Sequence, residues 1–178
     1  MRYYKLLFDG QNDNLVLRCE NLYGLKKNSL TTGKKLEDWD DRISFICDPR
    51  SGHIITDYIA NNVGWFIASN PMLQLLQKLS CTFEAKEIKV KEISYFIINL
   101  LDVLEALSLE HSEYSTYQVG NAKVNSIRKY ALKKDKIINN NVFKLLGDEG
   151  HIFVSDFFVE EVKAKELLGC DFLEVTLV

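Results

Sequence analysis

Ser155 is the first residue to test for chemistry. It ends the strand-like run His151-Ile152-Phe153-Val154 and opens a helix-like stretch, as the nucleophile of an α/β-hydrolase elbow does. That elbow needs G-x-S-x-G, because only small neighbours allow the strained turn that exposes the hydroxyl. Here the neighbours are Phe153, Val154, Asp156 and Phe157. Asp156 suits the positive end of a helix dipole, and Lys163 and Lys165 suit the other end. Gly169 stands where a left-handed C-cap belongs. Ser155 therefore reads as an N-cap, accepting from a backbone N–H that has no partner inside the helix. His151 would point away from it along an extended chain.

The remaining candidates fare no better as catalysts. His53, His111 and His151 form no HxH, HExxH or Cys-His cluster, so no metal site is expected. Gly147-x-x-Gly150 lacks the third glycine of a dinucleotide fingerprint and opens into a strand. No phosphate loop occurs, and no pair of carboxylates names a general acid and base. The expectation is a protein with no catalytic residues and no cofactor. One stretch stands out: Glu37, Asp38, Trp39, Asp40 and Asp41, four acids around a tryptophan, directly before a strand. As a plain turn, its Trp folds onto the core and its acids are solvated. As a partner-binding patch, an aromatic anchor ringed by charge steers a basic partner.

The elements that must position these residues follow from hydrophobic patterning. Strands are expected at Tyr3 to Phe8, Leu15 to Glu20, Ile43 to Cys47, Ile127 to Leu132, Val142 to Leu145 and Ile152 to Val154. Met72, Leu75, Leu76 and Leu79 recur at helical spacing behind Pro71, which predicts a helix capped by Ser69. Ile93, Phe96, Ile97, Leu100, Leu101, Leu104 and Leu107 predict a longer, central helix, with Asp102, Glu105 and Glu110 as a second, weaker acidic face. The polar stretch His111 to Asn125 carries no assignment. Trp65 to Ser69 and His151 to Ser155 echo each other: each strand ends in Ser, a helix follows, and Cys-x-Phe leads into a last apolar run. This suggests two similar strand-Ser-helix-strand units, about 64–90 and 150–178, within a single α+β domain, 1–178, built on a mixed β-sheet with packed helices.

Composition narrows the partners. A net charge of −3 over 178 residues argues against nucleic acid, whose phosphates need concentrated Lys and Arg. No apolar run reaches the roughly 18 residues of a membrane helix, and the start MRYYKLLFDG lacks the pattern of a signal peptide. Cys19, Cys47, Cys81 and Cys170 are far apart and form no CxxC pair, which suits reduced thiols in the cytoplasm.

The order of these pieces resembles a family of bacterial immunity proteins from polymorphic toxin systems, immunity family eleven. The C-terminal part carries the likeness in Phe143, Leu145 and Gly147, Ile152 to Ser155, Phe158, Gly169, Phe172, Glu174 and Val175. Asp57-Tyr58, Gly64 to Ile67, Ser69 and a Tyr95-to-Leu107 segment containing Asn99 extend it through the middle. Ser108 stands near where the family pattern carries an acid. The resemblance implies a cytoplasmic antidote that binds a cognate protein toxin and blocks it without turnover. A basic, nuclease-like toxin would suit the acidic patch. The alternatives are a small enzyme with a dispersed active site and an interaction module unrelated to toxins.

Overall fold

The computed structural model describes residues 1–21, 32–36, 38, 39, 41–119 and 122–178. The chain begins with β1 (Tyr3–Phe8), β2 (Val16–Cys19), β3 (Phe45–Cys47), β4 (Ala60–Asn61) and β5 (Phe66–Ser69), then helix α1 (Asn70–Lys78). It continues through β6 (Phe83–Val90), β7 (Ile93–Leu100) and β8 (Val103–Leu104) to a hairpin of β9 (Glu113–Val119) and β10 (Ala122–Lys129). The last part holds β11 (Ala131–Leu132), α2 (Lys134–Ile137), β12 (Val142–Leu145), β13 (Asp148–Ser155), α3 (Asp156–Ala164), β14 (Cys170–Glu174) and β15 (Thr176–Leu177). Strands dominate this α+β architecture.

Two of the sheets share one core with helices α1 and α3. One has the order β14-β1-β13-β12-β8, antiparallel except for the β12–β8 pair, and is therefore mixed. The other runs β5-β7-β6. Alternation along the strands sends side chains to either face of each sheet. Leu6, Ile152 and Val154 from the first sheet and Phe66, Ala68, Ile98 and Leu100 from the second meet Met72, Leu75 and Leu76 of α1 and Phe158, Val159 and Val162 of α3. The opposite faces build two flanking cores. Tyr3, Phe143 and Phe153 pack with Tyr130, Leu132 and Ile137. Ile67, Tyr95 and Ile97 pack with Leu15, Leu17 and Ile59.

The expected central helix over Ile93–Leu107 is not formed: the segment is β7 and β8. Tyr95 and Ile97 face one core while Ile98 and Leu100 face the other. A strand covered on both sides reads as a near-continuous apolar run, whose helical and extended periods cannot be told apart. The β-branched and aromatic residues of Ile93-Ser94-Tyr95-Phe96-Ile97-Ile98 favour extension, and β5 and β6 bond its two edges. With the helix goes its acidic face. Asp102 instead lies after β7, and its Oδ2 accepts from the Thr82 N–H at 2.8 Å.

Both serine caps are formed. The Met72 N–H donates to Ser69 Oγ and the Phe158 N–H to Ser155 Oγ, each at 3.3 Å. Strands β5 and β6 run parallel with antiparallel β7 between them; β13 and β14 run parallel with β1 between them. Each crossover therefore skips one strand. Gly169 is not the helix C-cap. The left-handed residue after α3 is Glu166 (φ 53°), as Ser80 (φ 55°) is after α1.

Candidate functional site

Of the acidic stretch, Asp38, Trp39 and Asp41 are described; Glu37 and Asp40 lie outside the described residues. Trp39 is half-buried against the core of Leu17 and Ile97, as the turn reading expects, while Asp38 is exposed. Asp41 reaches Lys86 of β6 at 2.9 Å. Its carboxylate is wholly in solvent, so water and salt screen the pair and it adds little to stability. The approach to the stretch is held more firmly. Glu84 Oε2 accepts from the Leu36 N–H (2.9 Å) and from Asn99 Nδ2 (3.0 Å), and Asn99 Nδ2 also donates to the Lys34 carbonyl (2.9 Å). Asn99 is fully buried. Its place inside an apolar run was the one sequence signal of this clamp; Glu84 gave none.

A second cluster was not legible in sequence. Tyr130, just before β11, donates its hydroxyl to Asp148 Oδ2 at 2.7 Å. His151 Nδ1 lies 2.8 Å from Asp148 Oδ1 and 3.1 Å from the Tyr130 hydroxyl. With the phenol proton directed at Asp148, the Nδ1–H of His151 donates to the other carboxylate oxygen, which leaves the Nε2 lone pair directed elsewhere. Burial, and after it the Asp148 hydrogen bond, holds the Tyr130 phenol above its ordinary range. Lys5 Nζ sits 5.0 Å from the centre of the Tyr130 ring, a cation–π distance. Burial lowers the Lys5 amine, and the Asp148 charge partly opposes this. The four residues come from β1, β13 and the junction between β10 and β11, so no local motif could announce them.

An oriented histidine is half of a nucleophilic site. The other half needs an activated hydroxyl or thiol within reach of the base. Ser69 and Ser155 serve their helices: Ser69 Oγ donates to Asp57 Oδ1 (2.5 Å) and Ser155 Oγ to Asn141 Oδ1 (2.8 Å). All four cysteines are unbridged, and burial pushes the Cys81 and Cys170 thiols up to about 12, far from thiolate at neutral pH. His111 bonds Ser108 and His53 is exposed. Among the described residues no three His, Cys, Asp or Glu side chains gather as a metal site, and no helix is long and apolar enough to cross a membrane.

What emerges is a strand-rich α+β protein whose buried polar residues tie sheets and loops together and whose distinctive exposed features are surfaces. The sequence model of the immunity protein family Imm11 matches residues 10–176, and the chain belongs to that family. A search of curated proteins finds no match.

Proposed function

We propose that this protein neutralises a cognate bacterial toxin in the cytoplasm by stoichiometric binding, with no turnover and no cofactor. Membership of the immunity family over nearly the whole chain carries this reading. Three cores and two capped helices supply a stiff body, and tight inhibition favours a surface that need not be ordered on binding. In this reading the chain acts as one domain, and the segments 64–90 and 150–178 are similar scaffold units. Glu37 to Asp41 contribute a partner-facing patch suited to a basic, nuclease-like toxin. Co-expression with the toxin encoded in the adjacent reading frame tests it: cells carrying both should survive, and equal killing with or without this protein overturns the reading for that pair.

The Asp148–His151 pair favours a second reading, an enzyme using His151 Nε2 as a base. Substituting His151 by Gln separates the two. Protection carried by catalysis disappears, whereas protection carried by binding persists in proportion to the toxin bound.

A further inference from the structure

The ladder between β1 and β13 stops before the strands do. Its last rung joins Leu6 to Ile152, yet β1 runs on to Phe8 beside β14, and β13 starts at Asp148 beside β12. The strands part there, and a cleft of about 260 Å³ opens between them. Phe8 and Tyr58, stacked at 4.3 Å, give it an aromatic wall, with Leu6 and Ile152 at the fork. Lys5 and His151 also line it.

Gly150 is the informative residue of this cleft. Gly64, also in the lining, has φ +69°, a conformation that calls for glycine. Gly150 lies in a strand without a positive φ, and a Cβ built on it meets nothing within 4 Å. Glycine weakens a strand interior, and this one falls where the β12–β13 register shifts, between the Phe143–Phe153 and Leu145–Asp148 pairs, the kind of bulge at which strand glycines occur. Without a side chain there, this wall of the cleft stays open to a group approaching from outside.

Size and charge limit what approaches. Sites for cofactors and drug-sized ligands are clefts of about 300–1,000 Å³, while an apolar space of about 150 Å³ accepts benzene. The cleft falls between these, with room for one large side chain. Among the described residues Lys5 forms no ion pair with a carboxylate; its amine lies over the Tyr130 ring, and Asp148 bonds Tyr130 and His151. We propose that the cleft receives one aromatic side chain of the toxin, with a neighbouring toxin carboxylate meeting Lys5. The proposal rests on the toxin-binding reading above.

The test measures affinity for the toxin domain encoded in the adjacent frame, in a catalytically dead form, beside thermal unfolding of each variant. Gly150→Leu fills the cleft from open space, so its melting temperature should equal or exceed the wild type's while affinity falls at least 100-fold. Gly150→Ala should lose less. Lys5→Met keeps the packing on Tyr130 and should lose about tenfold, with a weaker salt dependence. A folded Gly150→Leu that binds like the wild type overturns the cleft and leaves toxin binding standing. Should Gly150→Leu fail to fold, unchanged affinity of Lys5→Met overturns it instead. A wild-type protein that neither binds nor protects brings down both readings.

Discussion

Asp57 holds Ser69 twice: the Ser69 N–H donates to the Asp57 carbonyl at 2.8 Å, and the Ser69 hydroxyl to Asp57 Oδ1 at 2.5 Å. Asn141 holds Ser155 in the same two ways, at 2.9 and 2.8 Å. Each serine thus caps its helix with an oxygen whose proton is committed to a residue 12 or 14 positions earlier. Asp57 does more, because its Oδ2 accepts from the Leu168 N–H at 2.9 Å and so ties the start of α1 to the chain leaving α3.

This arrangement predicts strong coupling. Ser69→Ala should cost about 1–2 kcal/mol from the lost cap, and Asp57→Ala about 1–3 kcal/mol, because it strips the partner from the buried Ser69 hydroxyl and a second one from the Leu168 N–H. A double-mutant cycle by urea unfolding should give an interaction energy of about 0.5–3 kcal/mol between them. Strict additivity would show that the short contact contributes nothing. Ser155→Ala should behave like Ser69→Ala.

The caps were readable because they are local: a serine, a helical stripe and a proline or acid within four residues. The short strands β1 and β12 were readable for the same reason, as their apolar runs are bounded by turn residues. β7 was misread because both its faces are buried, a fact that resides in the layers packed on it. The β9–β10 hairpin drew no assignment as far as Asn125, because its residues are mostly polar and its ladder bonds them only to each other; the expected strand at Ile127 to Leu132 caught the end of β10. The Tyr130–Asp148–His151 cluster and the cleft at Gly150 arise where distant strands meet, and no spacing along the chain encodes that. Of the acidic stretch, sequence gave the residues and the structure gave the packing of Trp39 and the clamp on residues 34 to 36.

Gly169 should tolerate no side chain. Its φ is +93°, and a Cβ there would lie 2.2 Å from the Tyr58 carbonyl oxygen and 2.7 Å from Thr56. The same segment fixes the sheet, since the Gly169 carbonyl accepts from the Asp9 N–H and the Leu168 carbonyl from the Asp57 and Tyr58 N–H groups. Strain and overlap together predict that Gly169→Ala destabilises by roughly 3 kcal/mol or more. A midpoint in urea within error of the wild type would refute this.

The β6–β7 hairpin offers the opposite change. Val90 pairs with Ile93, so Lys91 and Glu92 form a two-residue loop, and both have positive φ (48° and 68°). Such a loop prefers Asn-Gly, which adopts the left-handed region with less strain. Lys91→Asn with Glu92→Gly should raise stability by about 1 kcal/mol. Thermal unfolding checks it, and an unchanged or lower midpoint contradicts it.

Lys144 should leave a signature in pH dependence. It is 4% exposed in β12, and burial pulls its amine down to about 8, against a smaller opposing pull from Glu149. In the unfolded chain it titrates near its ordinary value of about 10.4. Between these values the unfolded state binds a proton that the folded state has lost, so stability rises with pH across that window. Below about 8 both states are charged and this residue adds no slope. Urea unfolding of wild type and Lys144→Met from pH 7 to 10 should therefore diverge only above about pH 8, by an amount on the order of 1–3 kcal/mol. Parallel curves would place the titration elsewhere.

The acidic stretch can be tested without disturbing its tryptophan. Asp38, Asp40 and Asp41 changed together to Asn remove three charges and leave Trp39 packed on its core. Asp41 contributes only a solvent-exposed pair with Lys86, so folding stability should change by less than about 1 kcal/mol. If the stretch steers a basic toxin, association should slow severalfold at low salt, and its dependence on ionic strength should flatten while dissociation changes little. Stopped-flow association at several salt concentrations reads this directly. An association rate and salt slope equal to the wild type's would leave these residues as a solvated turn, and would move the search for the toxin contact to the opening between β1 and β13.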